Sequence, residues 1–254
     1  MSAAAVTWGV AERSLRLIPR MPSTFFPSLV MPVFFMVAFS GPFAALVNIP
    51  GFPTDHILDW VVPFTALQGC AFAGLTTGLG VARDLESGFY DRILLSPAPR
   101  LSLLAGSLVA GVLRSCIALT LMIAVGFIAG ANFREGLAGI AVLAVAGFGL
   151  ALAGSAWSIG LALRFKTMQA APLMQMGVFV TIFLSTAQMP LELLTGWLDN
   201  VARYNPLTQV LALARQGFLG EVTWAVTSDG LVALVGMFVV LGLFAYRGMQ
   251  KVIP

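Results

Sequence analysis

Charge is scarce in this chain. Asp, Glu, Lys and Arg make up 10% of its 254 residues, against roughly 25% in soluble domains. Fourteen basic and eleven acidic side chains cannot clothe a 26.8 kDa globule in water. Most of the surface therefore faces lipid, which excludes a soluble enzyme, a disordered chain and a nucleic-acid-binding module. Cysteine is nearly absent. Cys70 and Cys116 both lie in apolar runs, too isolated for a disulfide framework or a metal site, and read as small packing residues. There is one histidine. His56 stands with Asp55 and Asp59 in a short polar stretch; this is read as a solvated loop rather than a metal or hydrolytic centre. Lysine is limited to Lys166 and Lys251, and the preference for Arg hints at a GC-rich bacterial genome.

Apolar residues, in contrast, make up 59% of the chain, and the mean hydropathy is +0.93. A hydrocarbon core about 30 Å thick needs about 20 helical residues to cross. Six runs qualify: 25–47, 60–81, 101–130, 137–163, 172–189 and 231–246. They are continuously apolar rather than alternating, so helices are expected and a β-barrel is not. With the N-terminus in the cytoplasm, ten basic residues fall inside, three (Arg134, Arg203, Arg215) fall outside, and Arg114 falls within a span. This satisfies the positive-inside rule with both termini cytoplasmic. The first run is too long for a signal peptide and lacks a small-residue cleavage site.

Smaller features sit on this scaffold. In 1–22, Trp8, Ala11, Leu15 and Ile18 share one helical face, and Glu12, Arg13, Arg16 and Arg20 share the other. That pattern predicts an amphipathic helix in the membrane interface, with its arginines toward lipid phosphates. Pro27, Pro32 and Pro42 predict a first span kinked or broken near its ends. Ala66, Cys70, Gly74 and Gly78 recur every four residues, as do Gly149 with Ala153 and Gly154 with Ser158. Small residues at this spacing let helices approach closely, either within the chain or across a dimer seam. The connection 82–100 holds Arg83, Asp84, Glu86, Asp91, Arg92 and Arg100. Leu85, Phe89, Ile93 and Leu94 repeat at helical spacing within it, so it reads as a short amphipathic helix suited to a partner's groove. The mostly apolar stretch 190–228 is expected to form a re-entrant or interfacial helical hairpin.

The run Phe183-Leu-Ser…Pro190-Leu-Glu…Trp197-Leu…Tyr204-Asn-Pro-Leu-Thr…Ala212…Arg215 resembles the closing signature of ABC-2-type permeases. Glu86-x-Gly-x-x-Asp-Arg-Ile-Leu-x-Ser-Pro97 resembles their coupling segment, and the amphipathic start resembles their interface helix. The resemblance covers essentially the whole chain and is nearest to the daunorubicin-resistance branch of drug exporters. It implies a single all-α integral membrane domain over 1–254: six transmembrane helices, an N-terminal interface helix, a cytoplasmic coupling helix and an extracytoplasmic re-entrant hairpin. It also implies an exporter of hydrophobic or amphipathic substrates in the bacterial plasma membrane. The ATPase would be a separate chain in two copies, binding the ATP and magnesium, and the permease would pair with a second permease as a homo- or heterodimer. No G-x-x-x-x-G-K-[ST] run occurs in this sequence, so no nucleotide or other cofactor is expected on this chain.

The resemblance assigns ATPase coupling to Asp84, Glu86, Gly88, Phe89, Asp91, Arg92 and Leu95. The substrate pathway draws on Gln68, Thr76, Arg114, Gln175, Phe179, Ser185 and Gln188, whose polar members read equally as links that pack helices together, and the extracytoplasmic gate on Pro190, Trp197, Asn205, Pro206 and Arg215. Arg114 admits two readings, a snorkelling or structural cation and a transport residue. Two other functions stay open. A secondary transporter or channel would usually carry a mid-membrane acid, and none of the six runs has one. A membrane enzyme would need a constellation of His, acids or a nucleophile at one face, and none is evident.

Overall fold

A computed structural model describes residues 2–19, 22–90 and 99–252. Among them are nine α-helices and no strand: α1 (Ala3–Arg16), α2 (Pro22–Ser40), α3 (Ile57–Glu86), α4 (Arg100–Ile128), α5 (Gly136–Phe165), α6 (Ala171–Phe183), α7 (Trp197–Tyr204), α8 (Pro206–Leu219) and α9 (Trp224–Val252). Four are long and apolar enough to cross a membrane: Ile57–Glu86, Arg100–Ile128, Gly136–Phe165 and Trp224–Lys251. The stretches Phe26–Ser40 and Met168–Phe183 are shorter apolar helices.

The two short helices end before the apolar runs that contain them. The first run extends to residue 47, but α2 stops at Ser40 and the chain continues as a turn and a 3-10 helix, Ala44–Asn48. Gly41-Pro42 accounts for the stop, because the glycine and the proline after it both disfavour helical backbone at the same residue. Pro27 and Pro32, in contrast, lie inside α2 without ending it. The fifth run extends to 189, but α6 ends at Phe183. There Ser185 donates its hydroxyl to the Ile182 carbonyl at 2.5 Å, a local bond that competes with further helix. The last helix departs in the other direction, starting seven residues before the expected 231.

Helix α3 is the axis of the bundle. Every residue from Asp59 to Gly78 is buried, and α3 packs against α2, α4, α5, α6 and α8. Its small-residue stripe faces α5 within the same chain. A Cβ at Gly74 would collide with the Ala151 carbonyl oxygen, and one at Gly78 would collide with Ser158. From the opposite helix, a Cβ at Gly154 would lie 2.9 Å from the Ala71 carbonyl oxygen. Cys70 packs at Gly147, where an added Cβ would lie 2.9 Å from its Sγ. The stripe is therefore used for intramolecular packing, in which small side chains admit backbone-to-backbone contact. Helix α9 is the opposite case. It packs on α5 and α8 and leaves Val232, Val235, Val239, Val240 and Leu243 exposed, an apolar face suited to lipid.

Candidate coupling and transport sites

One end of α3 carries Asp84 and Glu86, two of the residues expected to couple to the ATPase. The helix runs to Glu86 and is closed by Ser87 N–H donating to the Arg83 carbonyl and Gly88 N–H donating to the Leu85 carbonyl. Gly88 has φ +66°, the left-handed conformation that commonly ends a helix and that glycine adopts without a Cβ clash. Three links radiate from this end. Asp84 accepts from both terminal nitrogens of Arg13 on α1, at 2.6 and 2.8 Å, and the same guanidinium stands 3.9 Å over the Phe89 ring. Glu86 accepts from Thr167 Oγ1 at 2.8 Å and from Met168 N–H at 2.7 Å, in the turn joining α5 to α6. Tyr90 donates its hydroxyl to Met249 Sδ near the end of α9 at 3.7 Å. Asp91, Arg92 and Leu95 lie outside the described residues, as does Arg20.

Helix α1 forms where expected, but its polar face does not simply meet lipid. Arg13 is taken by Asp84, and this hydrogen-bonded carboxylate holds the guanidinium pKa above its ordinary value. Arg16 pairs with Glu12 one turn back. On the other face Val6 and Ala11 are buried, while Trp8 is 59% exposed. Gly106 of α4 makes room for α1, since a Cβ there would lie 2.6 Å from the Thr7 carbonyl oxygen.

Arg114 is buried, reaching across α3 to α1. It donates to Thr76 Oγ1 at 3.2 Å, to the Ser14 carbonyl at 2.6 Å and to Ser14 Oγ at 2.9 Å. The Ser14 carbonyl belongs to the last turn of α1, whose carbonyls lack helical partners.

The remaining residues expected in the pathway divide by position. Thr76 and Gln175 line one crevice of about 280 Å³ between α2, α3 and α6, together with Pro27, Met31 and Phe72. Phe179 of α6 meets Phe72 edge-on at 5.2 Å and Phe35 of α2 at 6.3 Å. Phe35 also contacts Phe39 and Phe183, and Phe39 contacts Phe64. This aromatic cluster joins the three helices. Gln68 lies between Phe64 and Phe72 on the same α3 face by helical spacing. It is fully buried, and neither amide atom has a partner among the described residues. Ser185 and Gln188 lie apart from the crevice, beyond the end of α6.

At the far end of the bundle α8 is drawn inside. A Cβ at Gly139 of α5 would lie 2.6 Å from Gly217 Cα, so the two backbones meet directly. Asn205 ties this layer to α6. Its side-chain nitrogen donates to the Thr181 and Leu184 carbonyls at 2.7 and 2.9 Å, and its oxygen accepts from Leu207 N–H at 3.0 Å. Arg215 is 3% exposed. It stacks on the Trp60 ring at 3.4 Å and donates to the Thr186 and Ala187 carbonyls at 2.7 and 2.8 Å. Pro190 is buried, whereas Trp197 and Pro206 are exposed.

Asp59 corrects the solvated-loop reading. Asp55 and His56 are exposed, but Asp59 is fully buried. It accepts from Thr54 Oγ1 at 3.2 Å and from Asn132 N–H at 3.0 Å, so it fastens the start of α3 to the α4–α5 connection. Its place in the first turn of α3 was legible as a helix-start acid; its partner 73 positions away was not. Among the described residues no group of three or more His, Cys, Asp or Glu is placed to hold a metal.

The family description "ABC-2 type transporter" matches residues 6–219. The chain belongs to the ABC-2 type transporter family. It is 24% identical over 243 residues to the daunorubicin resistance ABC transporter permease protein DrrB1 of Streptomyces coeruleorubidus, covering 92% of this chain and 83% of that protein. It is 27% identical over 231 residues to the probable doxorubicin resistance ABC transporter permease protein DrrC of Mycobacterium tuberculosis, with 88% and 80% covered. A putative transport permease, ycf38, of the red alga Porphyra purpurea is 28% identical over 264 residues, with 95% and 87% covered. Membership makes this ABC-2 chain a multi-pass membrane permease, a transport subunit rather than an enzyme, and implies an ABC ATPase as its partner.

Proposed function

We propose that this ABC-2 permease exports a hydrophobic or amphipathic substrate, drug or lipid-like, across a plasma membrane and is driven by a separate ATPase. The observation that carries the reading is the three-way anchorage at the end of α3. Asp84 joins it to α1, Glu86 to the turn before α6, and Tyr90 to α9. A push delivered to the 82–100 segment reaches three other parts of the bundle through these bonds. Two ATPase copies holding ATP and magnesium would deliver that push, and their differential affinity for the two permease states would shift the equilibrium between them.

In this reading α2 and α6 complete six spans, both termini are cytoplasmic, and 190–228 forms a re-entrant extracytoplasmic hairpin. The pathway runs along the Phe35–Phe72–Phe179 cluster and the Thr76–Gln175 crevice, on faces that a second permease, identical or related, would close. Phe26, Val30, Phe34 and Val37 of α2 and Met176 and Val180 of α6 are exposed, which supports burial of these faces against a partner or lipid. Asn205 and Arg215 would brace the outer gate with Pro190, Trp197 and Pro206.

The test is co-purification of wild type and a Glu86→Ala/Arg92→Ala double variant with the ATPase. Loss of assembly or of stimulated ATP hydrolysis in the variant supports the reading, and full retention of both overturns the coupling assignment. Substrate flux in vesicles that hold an ion gradient and no ATPase would favour a secondary transporter instead.

A further inference from the structure

Between α1, α3 and α4 lies a cavity of about 60 Å³, next to the Arg13–Asp84 link. Among the described residues its wall carries Arg13, Arg83 and Arg114 but one carboxylate, Asp84. Both oxygens of that carboxylate are already engaged by Arg13. Among the described residues Arg114, 7% exposed, bonds only neutral oxygens of Ser14 and Thr76, and its Nε–H has no acceptor. Thr77 also lines the cavity; it is 2% exposed and its hydroxyl has no partner among the described residues. A buried guanidinium with an unused donor and no anion is costly. An anion in this cavity would supply both the missing charge and the missing acceptor.

The chemistry favours phosphate. Guanidinium N–H groups match phosphate oxygens in geometry as well as charge. A volume of about 60 Å³ is that of roughly two waters in the liquid, enough for a phosphate group and too little for a whole headgroup. The position favours a lipid as its source. The cavity lies under an amphipathic helix whose Trp8 remains exposed, the arrangement of a segment lying at a membrane surface. Anionic lipids concentrate beside arginines at such surfaces.

We propose that this cavity receives the phosphate of an anionic phospholipid, whose chains stay in the bilayer. Arg114 donates to it and Arg83 adds charge. The bound phosphate bridges α1, α3 and α4, so the membrane itself reinforces the joint next to the coupling segment.

The full chain, reconstituted in nanodiscs without any ATPase, tests this apart from the exporter reading. Discs of phosphatidylcholine alone are compared with discs that also contain phosphatidic acid, and retained lipid is read by native mass spectrometry. The expected result is one phosphatidic acid retained per wild-type chain and a higher melting temperature than in phosphatidylcholine. Arg114→Lys should weaken retention about tenfold, the least that losing a charge-assisted hydrogen bond costs. Because that change also disturbs the bonds to Ser14, Thr77→Val, which removes the cavity-lining hydroxyl that has no partner among the described residues, is the second variant. It should weaken retention as well, while melting no lower than wild type in phosphatidylcholine alone. Equal retention of phosphatidic acid by wild type and both variants, or no preference over phosphatidylcholine, overturns the proposal. Stabilisation by inorganic phosphate in phosphatidylcholine discs equal to that by phosphatidic acid overturns the assignment to a lipid.

Discussion

Asp84 receives both terminal nitrogens of Arg13, at 2.6 and 2.8 Å, and so joins the end of the central helix to the N-terminal helix. The pair is only partly shielded, with 41% and 20% of the two side chains exposed. Its worth in stability is therefore modest, roughly 0.5–1 kcal/mol. A double-mutant cycle of Arg13→Ala and Asp84→Ala, followed by thermal unfolding, should return a coupling energy of that size. The functional effect should be larger than the thermodynamic one, because the bond lies where the 82–100 segment meets the bundle. ATPase stimulation by substrate should fall in either single variant, and the double variant should fall no further.

The small-residue face of α3 makes a steric prediction. Gly74 meets the Ala151 backbone and Gly78 meets Ser158 so closely that a Cβ cannot be placed at either. Gly74→Val should force α3 and α5 apart and cost at least about 2 kcal/mol, read as loss of folded protein in detergent or a lowered melting temperature. Gly80, in the same helix, faces open space. Gly80→Ala should be neutral or stabilise by up to about 1 kcal/mol through the lower helix penalty.

Arg215 makes a prediction about chemistry rather than charge. Its planar group stacks on Trp60 and donates to the Thr186 and Ala187 carbonyls, where the chain has left α6. Arg215→Lys keeps the cation but cannot stack flat while bonding both carbonyls. It should destabilise by about 2 kcal/mol, because a buried carbonyl is left without its donor. Urea or thermal unfolding of the purified chain checks this. The Trp60→Phe variant, which keeps a ring face for Arg215, should lose less.

Much of this architecture is legible in the chain itself, and the reason is the period of the contacts involved. The apolar runs, the α1 amphipathic face and the Ala66–Cys70–Gly74–Gly78 stripe all depend on residues three to seven positions apart. Helix ends are less legible. Pro27 and Pro32 do not stop α2, whereas the Gly41-Pro42 step does, and the difference depends on whether neighbouring helices can re-satisfy the backbone. Side-chain partners are least legible. Arg13 finds Asp84 at a distance of 71 positions, Arg114 finds Ser14 at 100, and Asp59 is buried by an amide 73 positions away. No local spacing encodes those pairs. The loop-like surroundings of Asp59 point toward solvent, and only the packed connection after α4 reverses that.

Gln68 supplies the sharpest separation of stability from transport. It is fully buried on the axis of the bundle, and among the described residues both ends of its amide lack a partner. Burying such a group without hydrogen bonds costs roughly 1–3 kcal/mol, so the amide does not contribute to the stability of the isolated chain. Gln68→Leu keeps similar bulk and removes the unsatisfied atoms, and it should raise the unfolding free energy of the purified chain by about 1–2 kcal/mol. Its α3 face is the one whose phenylalanines meet α2 and α6. In the pathway proposed above, this amide bonds substrate or a rearranged neighbour during transport. Export by Gln68→Leu, measured in the assembled transporter, should therefore fall while its melting temperature rises. A variant that is more stable and exports as wild type does would remove Gln68 from the pathway.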